Sequence, residues 1–148
     1  MKVRVIKIGR IAYPEIRTLA AVYQERLPPL ANLANVDSIE AKDETGLARY
    51  LLKPASEHPL VVLDERGQEL SSRELASKIQ GWTDNPAVKS LTFLIGGPMG
   101  LSEELRHSAA FKLSLSRATF TSDLAWLLLW EQLYRAYNIT RGTNYHHD

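Results

Sequence analysis

Cysteine is absent from the 148 residues. That excludes disulfides, thiolate zinc sites and cysteine nucleophiles. Long apolar runs are missing too. The longest, Leu124-Ala125-Trp126-Leu127-Leu128-Leu129-Trp130, spans seven residues, against the roughly 20 that a membrane-crossing helix requires. The segment Met1–Ile8 is poor in apolar residues and broken by Lys2, Arg4 and Lys7, so it does not read as a signal peptide. A soluble, cytoplasmic protein is the expectation, with no membrane partner. Excess charge is also lacking: the formal net charge is +1, weak footing for a protein that grips nucleic acid by electrostatics alone. Neither phosphate fingerprint is present, since no G-x-G-x-x-G occurs and no Gly-Lys-Ser/Thr follows a glycine loop. Repeats, low-complexity segments and dividing linkers are absent as well.

What is present fits one globular domain, residues 1–148. Its 45% apolar and 24% charged residues are ordinary for a chain that buries a core without staples. Short apolar runs alternate with amphipathic stretches, which predicts βα units around a mainly parallel sheet flanked by helices. A first strand is expected at Lys2–Ile8, ended by Gly9. A helix follows from Pro14 to about Arg26, with Ile16, Leu19, Ala20 and Tyr23 on one face. A second strand is expected near Asn35–Glu40 and a second helix over 43–53, stopped by Pro54. Leu60–Leu63 reads as a strand buried on both faces, with Asp64–Gly67 as the loop after it. Ser71 or Ser72 would cap a helix burying Leu75, Ala76 and Ile79. Leu91–Ile95 is the fourth strand. Ser102 caps a short helix with Glu103 and Glu104 in its first turn. Phe111–Leu115 is the fifth strand, and a last helix runs from about Ser122 to Asn138.

Ligands of open α/β sheets sit beyond the carboxyl ends of the strands. Three such ends stand out: Leu63–Gly67, Ile95–Gly100 and Ser114–Thr119. The glycines of Gly96-Gly97-Pro98-Met99-Gly100 permit a tight turn and close backbone approach to a ligand, or only a plain strand-to-helix turn. The hydroxyl-rich Ser114–Thr119 segment reads as a ligand loop or as a polar turn with a helix cap. The all-round apolar start of the last helix needs cover on nearly every side, from the core or from a second copy. Residues 1–30 carry six basic residues, Lys2, Arg4, Lys7, Arg10, Arg17 and Arg26, against Glu15 and Glu25. This suits an RNA contact or a solvated edge. Glu131 and Arg135 form an i, i+4 pair, most simply on a helix surface. His146, His147 and Asp148 lack partners at ligand spacing, so no metal site is assigned.

Together these segments resemble the RlmH type of SPOUT (α/β-knot) methyltransferase. The resemblance rests on Val62–Gly67 followed by Ser71-Ser72, Phe93–Leu101, Leu113–Ser116 with Thr119, Glu131–Ala136 with Ile139, and Tyr145-His146, in order along essentially the whole chain. It implies a C-terminal trefoil knot, a homodimer with a composite site, S-adenosyl-L-methionine (SAM) as cofactor, and N3 methylation of a pseudouridine in large-subunit (23S) ribosomal RNA of the assembled ribosome or subunit. On this resemblance the cofactor meets Leu63, Gly96, Gly97 and the loop Ser116, Arg117, Ala118, Thr119, Phe120 and Thr121. Tyr145 and His146 reach the substrate base from the dimer partner, His146 as proton acceptor, and Arg135 places the RNA or the tail. The chain departs from the pattern after the loop threonine. Where the family carries Pro-His and an arginine four residues beyond that His, this sequence has Thr121-Ser122 and Trp126. Those departures keep open a divergent member with a changed RNA target, or a non-catalytic dimeric ribosome-binding module.

Overall fold

A computed structural model of the protein describes residues 1–27, 36–47, 51 and 53–147. Five parallel strands form one sheet in the order β2-β1-β4-β3-β5. They are β1 (Lys2–Ile8), β2 (Val36–Ala41), β3 (Leu60–Glu69), β4 (Ser90–Ile95) and β5 (Phe111–Ser114). The helices are α1 (Pro14–Arg26), α2 (Ser72–Asp84), α3 (Glu103–Ser108) and α4 (Ser122–Arg141). β1 sits between β2 and β4, with Val3 opposite both Val36 and Leu91.

Strand alternation sorts the core into two layers. Val3, Val5, Val61, Leu91, Phe93 and Leu113 face the layer where α4 packs on α1 and α2, around Trp126, Leu129, Trp130 and Leu133. Ile6, Val62 and Leu94 face the opposite side, against Leu47 and Leu105. β4 is buried at all six positions, as a central strand covered on both faces must be.

Local chemistry sets the helix starts. Pro14 opens α1. Ser71 caps α2 in a reciprocal capping box with Glu74, which satisfies two otherwise orphaned backbone donors. Ser102 caps α3. α4 is capped by Thr121, whose hydroxyl accepts from Leu124 N. It ends at Gly142, in the left-handed region at φ 67°, which glycine adopts without a Cβ penalty.

Several expectations are corrected. Residues 64–67 are not a loop: β3 continues to Glu69, and its pairing with β5 shifts register so that Leu113 lies opposite both Leu63 and Gln68. That bulge absorbs the polar residues that made the segment look irregular. The helix expected over 43–53 begins as a 3-10 turn, Thr45–Leu47, anchored by Asp43 accepting from Thr45 N; Leu51 is helical, and positions 48–50 and 52 lie outside the described residues. β5 stops at Ser114, one residue short, because the Ser114 hydroxyl turns to the carbonyls of Glu65 and Ser116. Leu19 is 48% exposed, so the buried face of α1 is narrower than its spacing suggested. α4 runs past Asn138 to Arg141, and its own chain does not cover it all round, since Leu124 and Leu128 remain exposed. No helix among the described residues is long and apolar enough to cross a membrane.

Candidate functional site

The bulge of β3 and the carboxyl ends of β4 and β5 open into one cleft of about 770 Å³, within the range of small-molecule sites. One wall is Leu63–Arg66 of β3, a second is Ile95–Leu101, and a third comes from Leu113, Leu115 and the segment leading into α4. Of the residues expected to bind a cofactor, Leu63, Gly96, Gly97, Ser116, Ala118, Thr119, Phe120 and Thr121 line it. Arg117 is exposed and is not among the lining residues. Ser122, at the position of the family histidine, lines the cleft; Trp126, at the position of the family arginine, is buried in the core instead.

The glycine wall is tight for a steric reason. A Cβ on Gly96 would stand 2.9 Å from the Gly100 carbonyl carbon, and one on Gly97 would stand 3.4 Å from the Ile8 oxygen. Gly100 adopts φ 73°, and its N–H closes the turn by donating to Gly97 O at 2.9 Å. Met99, at the tip, is almost fully exposed at the mouth of the cleft.

Sequence reasoning singled out the segment holding Asp64, Glu65 and Arg66 but not Arg106 or the pairings across the cleft. Asp64 Oδ1 accepts from Arg66 N at 3.0 Å. Arg106 Nη2 approaches Asp64 Oδ2 to 2.7 Å, a close charge contact that lacks hydrogen-bond alignment. Arg106 Nε is buried with no hydrogen-bond partner among the described residues. Thr119 donates to Glu65 Oε2 at 2.5 Å, strapping the third wall to the first. The cleft therefore offers apolar side chains, exposed backbone, two carboxylates and two guanidinium groups. That chemistry fits SAM: an aromatic base, a ribose diol needing acceptors, and a charged amino-acid end. The Asp64–Arg106 pairing spans 42 positions, and no local signal announces it.

Beneath the cleft lies a buried ion pair. Lys7 is 1% exposed, and its Nζ is 3.2 Å from Asp123 Oδ1. The other oxygen of Asp123 accepts from Ala12 N at 2.8 Å. Removing one member of such a pair strands the other charge, at about 3–5 kcal/mol. The basic N-terminal cluster is thus partly spent internally. Lys7 is interior, Arg17 pairs with Glu40 at 2.5 Å, and Arg26 lies 6.0 Å from the Tyr134 ring centre.

The expected catalytic residues form a second, separate cluster. Arg135, Tyr145 and His146 do not line the cleft of their own chain. The tail folds back on α4, where Tyr145 donates to Glu131 at 3.1 Å. Its ring meets Tyr134 edge-on at 4.7 Å and lies under the Arg135 guanidinium at 4.9 Å. Arg135 bonds Glu131 through Nε at 3.0 Å and Nη2 at 2.6 Å. This half-buried network replaces the simple surface pair. Burial, and then the Glu131 charge, push the Tyr145 phenol up to about 12. The Glu131 hydrogen bond raises Arg135 further above its ordinary value. Arg135 Nη1 lies 3.2 Å from His146 Nδ1. A guanidinium only donates, so Nδ1 is the acceptor in this contact.

The family of predicted SPOUT methyltransferases matches residues 1–146. The chain belongs to the SPOUT methyltransferase family. Among curated relatives, the ribosomal RNA large subunit methyltransferase H of Maridesulfovibrio salexigens is 36% identical, over 99% of this chain and 98% of its own. The protein of the same name from Kosmotoga olearia is 46% identical, over 80% and 76%. Among solved structures, a probable methyltransferase from Bordetella pertussis superposes with a TM-score of 0.56 at 14% identity, covering 91% of this chain and 93% of that one. The SpoU methyltransferase AviRb of Streptomyces viridochromogenes, solved with AdoMet, gives 0.50 at 12%, covering 95% and 58%. The sheet with its carboxyl-edge cleft is thus the SPOUT fold.

Proposed function

We propose that this SPOUT protein methylates N3 of a pseudouridine in large-subunit (23S) ribosomal RNA, with SAM as cofactor, in the cytoplasm and as a homodimer. The observation that carries the reading is the meeting of three sequence-distant segments, the β3 bulge and the ends of β4 and β5, in one cleft of cofactor size with a wall of glycine backbone. Similarity to large-subunit rRNA methyltransferases over nearly the whole chain supports the substrate class. A trefoil-knotted path is supported by where the chain goes after β5. It leaves beside Glu65 and arrives at Lys7 and Ala12, so it crosses the carboxyl ends of β3 and β4.

The dimer reading is supported by two features. Leu19 and Val22 of α1 and Leu124 and Leu128 of α4 are exposed apolar side chains on helices that pack together. The Arg135–Tyr145–His146 cluster stands outside its own cleft, so a second copy is needed to bring such a cluster to the donor. Bound SAM supplies a methyl group on a positively charged sulfur, activated for in-line displacement. Leu63, Gly96, Gly97, Ser116 and Ala118–Thr121 hold and align that donor; Arg117 lies on the exposed side of the same loop. His146 would accept the N3 proton of the base as the methyl group is transferred. To take it on Nδ1, His146 exchanges its Arg135 contact for the base edge. Tyr145 stays protonated and positions the base.

Ser122 and Trp126 favour a second reading, a SPOUT enzyme with a changed RNA target, because neither supplies the base or cation of the family pattern at the cleft. Calorimetric titration with SAM, using ATP and NAD as controls, tests the cleft. Nucleoside mass mapping of ribosomal RNA from wild-type and deletion strains tests the target. A methylated pseudouridine lost on deletion supports the first reading, and a different lost nucleoside supports the second. An unchanged single-turnover rate in His146→Ala would remove that residue from proton transfer.

A further inference from the structure

Lys7 continues the core-facing side of β1 after Val3 and Val5, where another apolar residue would pack without charge. Replacing buried ion pairs by apolar residues is often neutral for stability. What apolar residues at these positions lack is direction. Lys7 Nζ reaches Asp123 Oδ1 at 3.2 Å and the carbonyls of Ile8, Gly9 and Arg10 at 3.4 Å each. Asp123 Oδ2 holds Ala12 N–H. The pair thus ties the turn after β1 to the first turn of α4.

Both ends touch walls of the cleft. Asp123 directly follows Thr121 and Ser122, which line it. Ile8, whose carbonyl Lys7 contacts, is the residue against which Gly97 packs. We propose that Lys7 and Asp123 are positioning residues of the cofactor site. The pair locks the start of α4 to the carboxyl end of β1 and so holds the loop Ser116–Thr121 at a fixed distance from Gly96–Gly97. This rests on the cleft being the SAM site.

The test compares wild type with Lys7→Met, Asp123→Asn and the double variant Lys7→Met/Asp123→Leu. SAM binding is measured by calorimetry, folding by thermal melting, and local opening by amide hydrogen exchange of the ligand-free protein. The single variants strand a charge and melt early. The double variant strands none and melts near wild type, but it has lost the tie to Ala12. It is expected to bind SAM about tenfold or more weakly, as small misplacements of positioned groups do, and to exchange faster at 116–122 than elsewhere. A double variant that melts and binds like wild type overturns the positioning role, as does unchanged exchange at 116–122. Wild type that fails to bind SAM overturns the cofactor reading and this proposal with it. Wild-type binding with an unaffected double variant overturns only the proposal.

Discussion

Alanine at Gly67 places a methyl group 2.5 Å from the Lys112 oxygen and 2.7 Å from its carbonyl carbon, both backbone atoms of β5. No rotamer change relieves this, so the two strands must part by about 0.9 Å to reach ordinary contact. Overpacking of this kind costs about 1–3 kcal/mol, and the upper part of that range applies because neither partner is a flexible side chain. For a chain of this size, each kcal/mol moves the thermal midpoint by about 2–4 °C. Gly67→Ala is therefore expected to melt roughly 4–12 °C below wild type. Gly81 of α2 is the control: its added Cβ meets nothing within 4 Å, so alanine there gains about 0.5–1 kcal/mol of helix propensity. Melting curves by circular dichroism at 222 nm read both. A Gly67→Ala protein as stable as wild type would refute the continuation of β3 beside β5 past Leu63, and with it the first wall of the cleft.

Thr121, not Ser122, caps α4, but at 3.4 Å its bond to Leu124 N is long. Thr121→Ala should cost roughly 0.5–1 kcal/mol in urea unfolding, while Ser122→Ala stays within about 0.5 kcal/mol of zero. The phenolate absorbance of Tyr145 should rise with a midpoint of about 12 and move down in Glu131→Gln. Because the folded protein holds this proton more tightly than the unfolded chain, its stabilising share is complete below the ordinary tyrosine value. It is lost as pH rises through about 12. His58 is shifted the other way, first by desolvation and then by Lys53, while its Nδ1 stands 2.7 Å from Ser90 Oγ. Its imidazole resonances should titrate below the free-histidine value. Its contribution is present above that value and lost as pH falls through the folded midpoint. A midpoint at or above the free value would contradict the burial of the ring.

Elements with a strong local signal were legible. Alternation in Lys2–Ile8, the Ser71–Glu74 capping box, the apolar run before Gly96 and Pro14 at a helix start each encode their structure within a few residues. The fifth strand and the candidate cleft at the carboxyl edge followed from the same patterns. Legibility failed where the deciding partner is distant. Asp64-Glu65-Arg66-Gly67 reads as a loop because its polar residues break alternation, and only β5 shows that they form a bulged strand. Leu19 sits at core spacing on α1, yet α4 covers a narrower stripe.

The candidate site divides in the same way. Gly96, Gly97 and Ser116–Thr121 were visible as strand-end loops because glycine and hydroxyl residues after a strand carry local meaning. Arg106 was not, since its role depends on Asp64, 42 positions away, and the strap between Glu65 and Thr119 joins residues 54 positions apart. Lys7 counted toward a basic surface, and only the fold turned it inward to Asp123.

By itself, the sequence determined the kind of most elements and the segments that could bind a ligand, because those follow from periodicity and caps along the chain, and its motifs carried the resemblance to the family. The tertiary structure decided which charges are interior, which apolar residues stay exposed, and that the tail cluster stands apart from the cleft of its own chain. Burial and pairing are properties of what packs against a residue, and for Lys7 that neighbour is 116 positions away.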